Sequence, residues 1–241
     1  MASLFQSFHG GRTRGTVSTK LTSTALSSSY SSDAGNTPLI TNILRQYAEA
    51  TLGAGSLQTA VLLPEGEDEH EWIAVHVHDF CNQINLLYGT ITDFCVPYSS
   101  NGSTSCCCTR MMATDDYEYL WQDPQDPEYQ RPTAMPARDY IDCLIAWCHG
   151  HLNNETIFPT QPGVSFSLQS LPVFKMMLKR LFRVYAHIYC HHFNQITELG
   201  LQPHLNTSLK HFVLFTRQFG LVDPAEFAPL QELITILLND N

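Results

Sequence analysis

The sequence predicts an all-α fold: a helical bundle that carries one small β-hairpin. Three observations lead there. Apolar residues recur at helical spacing, as in Ile73, Val77, Phe80, Ile84 and Leu87, four, three, four and three residues apart. Helix punctuation is frequent, with Thr37-Pro38 and Asp223-Pro224 as cap-plus-proline starts and Gly53, Gly150, Gly200 and Gly220 as stops. Strand-like alternation is confined to one short stretch, Tyr117–Trp121.

Composition narrows the function classes. A hydrophobic fraction of 44% in 241 residues is enough for a sizeable core. No run of about 18 apolar residues suggests a transmembrane helix. The N-terminus lacks a continuous apolar region of the secretory kind. With eight cysteines and no such leader, the expected setting is a reducing compartment, where cysteines are buried thiols or metal ligands. The expected location is therefore cytoplasmic, extending to the nucleus. A net charge of −10 disfavours nucleic acid, whose binding rests on neutralising phosphates, and favours a basic partner surface.

Residues 1–36 are rich in Ser, Thr and Gly with little apolar periodicity, and read as a disordered arm carrying Arg12, Arg14 and Lys20. The folded domain is expected over residues 37–241. Its first helix runs from Thr37-Pro38 to Gly53, with Ile40, Ile43, Leu44 and Tyr47 on one face. Gly55–Leu63 reads as a connector ending in Pro64.

A helix starting near Asp68 puts the Ile73–Leu87 stripe on one side. At about 100° per residue, Glu67, Glu71, Val75, His78 and Asp79 fall on the other, with Trp72 at the edge. Charge runs are ordinarily solvated, but Trp is enriched at binding hot spots, so a face of acids with Trp and Val also reads as a docking surface.

Beyond Thr90 comes a polar insertion, Ser99–Ser105, then Cys106-Cys107-Cys108. Asp115 and Asp116 turn the chain into the Tyr117–Trp121 strand, and Asp123–Pro136 is a loop that serves as the return of a hairpin. Helices follow: one marked by Tyr140, Leu144 and Trp147 and ending at Gly150, a long one over Gln169–Leu199, one over Asn206–Phe219, and one after Asp223-Pro224 that Pro229 interrupts.

The long helix carries His187, His191 and His192; the loops carry Cys95 and the triplet Cys106–Cys108. Two loop cysteines with two helical histidines form an ordinary structural zinc set. Ideal helix geometry favours His187 with His191, four apart on one face; His192, five apart, lies about 140° away and needs a widened turn. Satisfied polar histidines and small apolar cysteines would be the plain alternative.

Seven strings carry a resemblance to one family. They are A-E-A-T-L-G (Ala48–Gly53), L-P-E-G-E-D (Leu63–Asp68), E-W-I-A-V (Glu71–Val75), Q-I-N-L-L-Y-G-T-I-T-D-F-C (Gln83–Cys95), L-K-R-L-F-R-V-Y-A-H-I-Y (Leu178–Tyr189), H-L-N-T-S (His204–Ser208) and A-P-L-Q-E-L (Ala228–Leu233). From about Ala48 onward the chain resembles the Mob/phocein family, nearest its kinase-activating Mob subgroup.

The resemblance implies a structural zinc ion on Cys95, Cys108, His187 and His192. The second cysteine is chosen because it precedes Y-E-Y by nine residues, and the family's histidine pair overrules the geometric choice of His191. The twelve residues between Cys95 and Cys108 depart from the four common in the family. It further implies a non-enzymatic co-activator that binds the basic N-terminal segment of an NDR/LATS-type kinase through Glu67, Glu71, Trp72, Val75 and Asp79. A basic pocket of Lys179, Arg180 and Arg183, on one helix face, would take a phosphothreonine peptide of an upstream Hippo-type kinase. Thr51 matches a threonine phosphorylated in related proteins, where added charge beside a helix C-terminus is disfavoured.

The alternatives are a phocein-like adaptor in a trafficking or phosphatase complex, a nucleic-acid-binding zinc module, and a zinc hydrolase. Four good ligands and no H-E-x-x-H motif count against the hydrolase.

Overall fold

The computed structural model describes residues 54–97, 108–161 and 164–239. The arm, the Thr37–Gly53 helix with Thr51, the Ser99–Ser105 insertion, Cys106 and Cys107 lie outside the described residues. The described chain is mainly helical: α1 (Ala54–Ala60), α2 (Glu69–Gly89), α3 (Ala137–Leu152), α4 (Ser170–His191), α5 (Phe193–Glu198), α6 (Gln202–Gln218), a 3₁₀ turn (Pro224–Leu230) and α7 (Gln231–Asn239). No helix among the described residues is long and apolar enough to cross a membrane.

The connector expected at Gly55–Leu63 is instead the short helix α1, which packs on α6 and leads into buried Val61. A docking surface here overrides the low propensity that glycines confer. Helix α2 begins where its cap requires. The Asp68 carboxylate accepts from the His70 and Glu71 backbone N–H groups at 2.8 and 3.1 Å. Its stripe Ile73, Val77, Phe80, Ile84 and Leu87 is buried, chiefly against α4.

The hairpin is reduced. Among the described residues the stretch makes two isolated antiparallel bridges, Met112 with Glu118 and Trp121 with Thr133, and no strand ladder. Trp121 and Thr133 exchange both backbone bonds, at 2.9 and 2.8 Å. Pro124, Pro127, Pro132 and Pro136 lack the N–H that continued pairing requires.

Three helix boundaries also differ from expectation. Gly150 does not stop α3, which runs on to Leu152. Helix α6 starts at Gln202, earlier than Asn206, because Pro203 sits in the first turn, where its missing N–H is harmless. The long helix breaks at His192, whose φ of −127° and ψ of 11° leave the helical region before α5 resumes. Pro229 falls inside the 3₁₀ turn, ahead of α7.

Helix α4 is central, packing on α2, α3, α5 and the 3₁₀ turn. Phe182 meets Phe227 edge-on at 4.9 Å, and Phe80 meets Phe212 at 5.1 Å. A polar relay crosses this core. The Tyr185 hydroxyl bonds Ser208 Oγ at 2.6 Å, and Ser208 donates to Gln83 Oε1 at 2.8 Å, tying α4, α6 and α2.

Between α2 and α6 lie two histidines that no sequence pattern singled out. His76 Nδ1 donates to the Trp72 carbonyl at 2.9 Å, and its ring stacks on Phe215 at 4.0 Å. His211 meets His76 edge-on at 5.5 Å and Phe80 at 5.0 Å. Burial lowers the pKa of both; for His211 burial, then the neighbouring His76, bring it down to about 4.

Both rings therefore stay neutral in the fold below the ordinary histidine pKa, where the unfolded chain takes up protons. The contribution of His211 to stability is complete above about pH 6.5 and is lost as pH falls toward 4, at up to about 1.4 kcal/mol per pH unit, and His76 acts in the same direction. In urea unfolding at pH 7.5, 6 and 5, His211→Phe keeps the ring contacts and should show a shallower acid loss than the parent. Parallel pH profiles would refute this account.

Candidate metal centre and docking faces

Four side chains from three distant parts of the chain meet at one end of α4. Cys95 follows α2 through a turn in which its N–H donates to the Ile91 carbonyl at 3.2 Å. Cys108 is pinned beside the start of α3, its carbonyl accepting from the Ala137 N–H at 3.0 Å. His187 is in the last turns of α4, and His192 is the residue at which that helix breaks. The donor atoms of Cys95, Cys108, His187 and His192 all lie within 4.8 Å of one another, and all four residues are buried.

The spacing fits a tetrahedral ion. Thiolate sulfur at about 2.3 Å and imidazole nitrogen at about 2.0–2.1 Å from one tetrahedral centre stand about 3.6 Å apart. Here Cys95 Sγ is 3.6 Å from His187 Nε2, Cys108 Sγ is 3.7 Å from it, and Cys108 Sγ is 3.2 Å from His192 Nε2. His187 Nδ1 donates to the Met112 carbonyl at 2.8 Å, which leaves Nε2 as the free lone pair facing the sulfurs. The neighbouring Cys108, with burial opposing it and then His187 and His192 adding to it, holds the Cys95 thiol below the usual thiol range. These four residues can hold a metal ion. They fill a tetrahedron with protein donors, the pattern of a structural site.

Ideal helix geometry pointed to His191, and the structure shows why that choice fails. His191 does share a face with His187, their rings 4.7 Å apart, yet it is not among the four converging donors. The break at His192 turns the chain and brings the fifth residue after His187 inward.

The acidic set lies on and just before α2. Glu67 and Glu71 are exposed, and Asp79 is half-buried with His78 Nδ1 3.6 Å away. Val75 is 54% exposed, an apolar side chain in the middle of the acids. Trp72 is partly buried, its Nε1 donating to the Val61 carbonyl at 3.4 Å and its ring 4.4 Å from His76. Beside this face opens a cleft of about 650 Å³. Glu71, Ala74, Val75 and His78 line one wall, and Phe158, Pro159, Val164 and Phe166 line the other. Sequence reasoning missed the second wall because it comes from a loop without periodicity; its only signal was apolar Ile157-Phe158 in a polar stretch.

The basic trio is less uniform than its spacing suggested. Lys179 Nζ is 2.6 Å from Glu226 Oε1. Arg180 is only 9% exposed, with its guanidinium carbon 4.6 Å from the Trp121 ring centre and 4.4 Å from that of Trp147. Its Nη2 donates to the Gln122 carbonyl at 2.6 Å. Arg183 lies over the Tyr119 ring, and its Nη1 donates to the Tyr140 hydroxyl at 2.7 Å. Two buried guanidinium nitrogens, Arg180 Nη1 and Arg183 Nε, have no hydrogen-bond partner among the described residues, which is costly for an enclosed donor.

The chain matches the Mob1/phocein family over residues 49–230. It is 51% identical over 191 residues to the maintenance of ploidy protein mob1 of Schizosaccharomyces pombe, covering 79% of this chain and 86% of that one. Identity with the DBF2 kinase activator protein MOB1 of Saccharomyces cerevisiae is 48% over 203 residues, covering 83% of this chain and 61% of the longer relative. The MOB kinase activator-like 1A of Arabidopsis thaliana is 47% identical over 196 residues, covering 81% of this chain and 86% of that one.

Metal analysis of the purified protein should find about one ion per chain. A strong chelator should lower the melting temperature by roughly ten degrees or more, as expected where an ion ties a loop to a bundle. His192→Ala should lose the ion, whereas His191→Ala should keep it; metal retained in the first variant would remove His192 from the site.

Proposed function

The chain belongs to the Mob1/phocein family, and on that premise we propose that it is a non-enzymatic kinase co-activator and scaffold. Its partner is the basic N-terminal regulatory segment of an NDR/LATS-type kinase, which docks on Glu67, Glu71, Trp72, Val75 and Asp79. The observation that carries this reading is Val75, exposed between Glu71 and Asp79 at the mouth of an apolar cleft. Solvated acids have no need of such a neighbour. Charge attraction speeds encounter with a basic segment, while Trp72, Val75 and the cleft wall supply lasting contact. Ordering of that segment shifts the kinase toward its active population. Relatives named as kinase activators support the assignment.

The ion at Cys95, Cys108, His187 and His192 is zinc in a structural role, in keeping with two thiolates and two imidazoles in a closed tetrahedral set. Lys179, Arg180 and Arg183 form the pocket for a phosphothreonine peptide of an upstream Hippo-type kinase. The two unpartnered guanidinium N–H groups support that role, because a phosphate offers several acceptor oxygens at once. Residues 1–36 are an arm, residues 37–241 the domain, and phosphorylation at Thr51 adjusts the junction. The protein acts in the cytoplasm and nucleus.

Binding of a basic kinase-segment peptide, followed by calorimetry, should weaken about 10- to 100-fold on Glu71→Lys or Asp79→Lys, with the fold intact by circular dichroism. Unchanged affinity in both would sink the co-activator assignment. Combining Lys179→Ala with Arg183→Gln should abolish phosphothreonine-peptide binding and leave the kinase peptide bound as before. Loss of both activities together would mean that the two faces are not separate.

A further inference from the structure

Lys179 is not an open cation. We propose that Glu226 is a built-in counter-anion that occupies Lys179 and sets a threshold every incoming anion must exceed, one that dianionic phosphate clears and a singly charged carboxylate does not. The proposal rests on the phosphopeptide reading of the pocket.

The carboxylate is held in place by its own element. Glu226 sits in the 3₁₀ turn Pro224–Leu230, which Asp223 caps by accepting from the Ala225 N–H at 2.9 Å. The Glu226 N–H donates to the Asp223 carbonyl at 2.9 Å. The next residue, Phe227, is fully buried and meets Phe182 of α4 edge-on at 4.9 Å. Phe182 lies three residues after Lys179, so the packing that fixes the turn also fixes the carboxylate near the ammonium. Burial chiefly raises the Tyr119 pKa, and Glu226 adds a small contribution in the same direction.

The ion pair is partly solvated, with 42% of the Lys179 side chain and 27% of the Glu226 side chain exposed. Pairs of this kind contribute about 0–1 kcal/mol, so an incoming anion displaces the carboxylate at low cost. Its displacement is nevertheless a threshold. A phosphate carries about −1.5 to −2 charge and can engage Lys179 and, through opening of the aromatic lining, the enclosed donors Arg180 Nη1 and Arg183 Nε. A carboxylate ligand carries a single charge with two oxygens and only replaces one Glu226-like contact with another. Glu226 thus subtracts a similar amount from every ligand, and only the dianion recovers it through the arginines.

The test compares the full chain with Glu226→Gln, using a short phosphothreonine peptide and the same peptide with glutamate in place of phosphothreonine. Glu226→Gln should bind the phosphopeptide roughly fivefold more tightly. It should also gain measurable affinity for the glutamate peptide, and Glu198→Gln should change neither. Phosphopeptide bound only by Glu226→Gln would overturn the proposal, because phosphate would then fail to displace the carboxylate in the parent. If the parent binds the phosphopeptide and Glu226→Gln binds it equally or more weakly, the gate is wrong and the pocket stands. If neither protein binds it, pocket and gate fall together.

Discussion

The contact on which the rest depends is the polar stripe of α4 formed by Arg180, Arg183 and His187. At about 100° per residue these positions fall within about 60° of one another, so a single line along the helix carries all three. The irregular segment after Cys108 lies on that line in antiparallel order. Met112 receives His187, Tyr119 receives Arg183, and Trp121 with Gln122 receives Arg180. A segment with two isolated bridges has little structure of its own. Its placement comes from these polar clips and from the buried Met111, Ala113 and Trp121 beneath them.

This arrangement joins two features that spacing alone kept apart. The cluster of Cys95, Cys108, His187 and His192 anchors the beginning of the segment, and the guanidinium groups hold its middle. The aromatic rings around Arg180 and Arg183 come partly from that same segment, through Tyr119 and Trp121. An ion held by the cluster would do more than close a loop: it would fix the end of the wall against which the arginines are stacked. Stacked guanidinium groups have already lost most of their freedom, which is the physical meaning of preorganisation.

Features set by local chemistry were legible in the sequence. The Ile73–Leu87 stripe, the Asp68 cap, the positive-φ stops at Gly200 and Gly220, and the Pro224 start follow from side-chain spacing and backbone preference. What was missed depends on tertiary contact. Helix α1 forms because α6 offers it a surface, and the hairpin shrinks because α4 supplies the partners a ladder would have used. The geometric preference for His191 assumed an unbroken helix; the break at His192 has no marker in a sequence that reads as helix on both sides. The basic trio read as a pocket on one helix face, yet Arg180 is buried because two tryptophans from different parts of the chain close over it. The cleft wall at Phe158 and Val164 comes from a loop whose placement no periodicity encodes.

Opposite charge on two neighbouring helices raises the question of why the faces do not cancel. The net charge of −10 draws cations in general, and solvated basic groups would offset it locally. Instead Arg180 is enclosed by two tryptophan rings and Arg183 lies half-buried over Tyr119, while Glu67 and Glu71 are exposed and screened over a Debye length of about 8 Å at physiological ionic strength. The acids therefore face solvent while the two guanidinium groups spend their charge on ring faces and on backbone or hydroxyl oxygens, and the two sets stay apart on the directly packed helices α2 and α4.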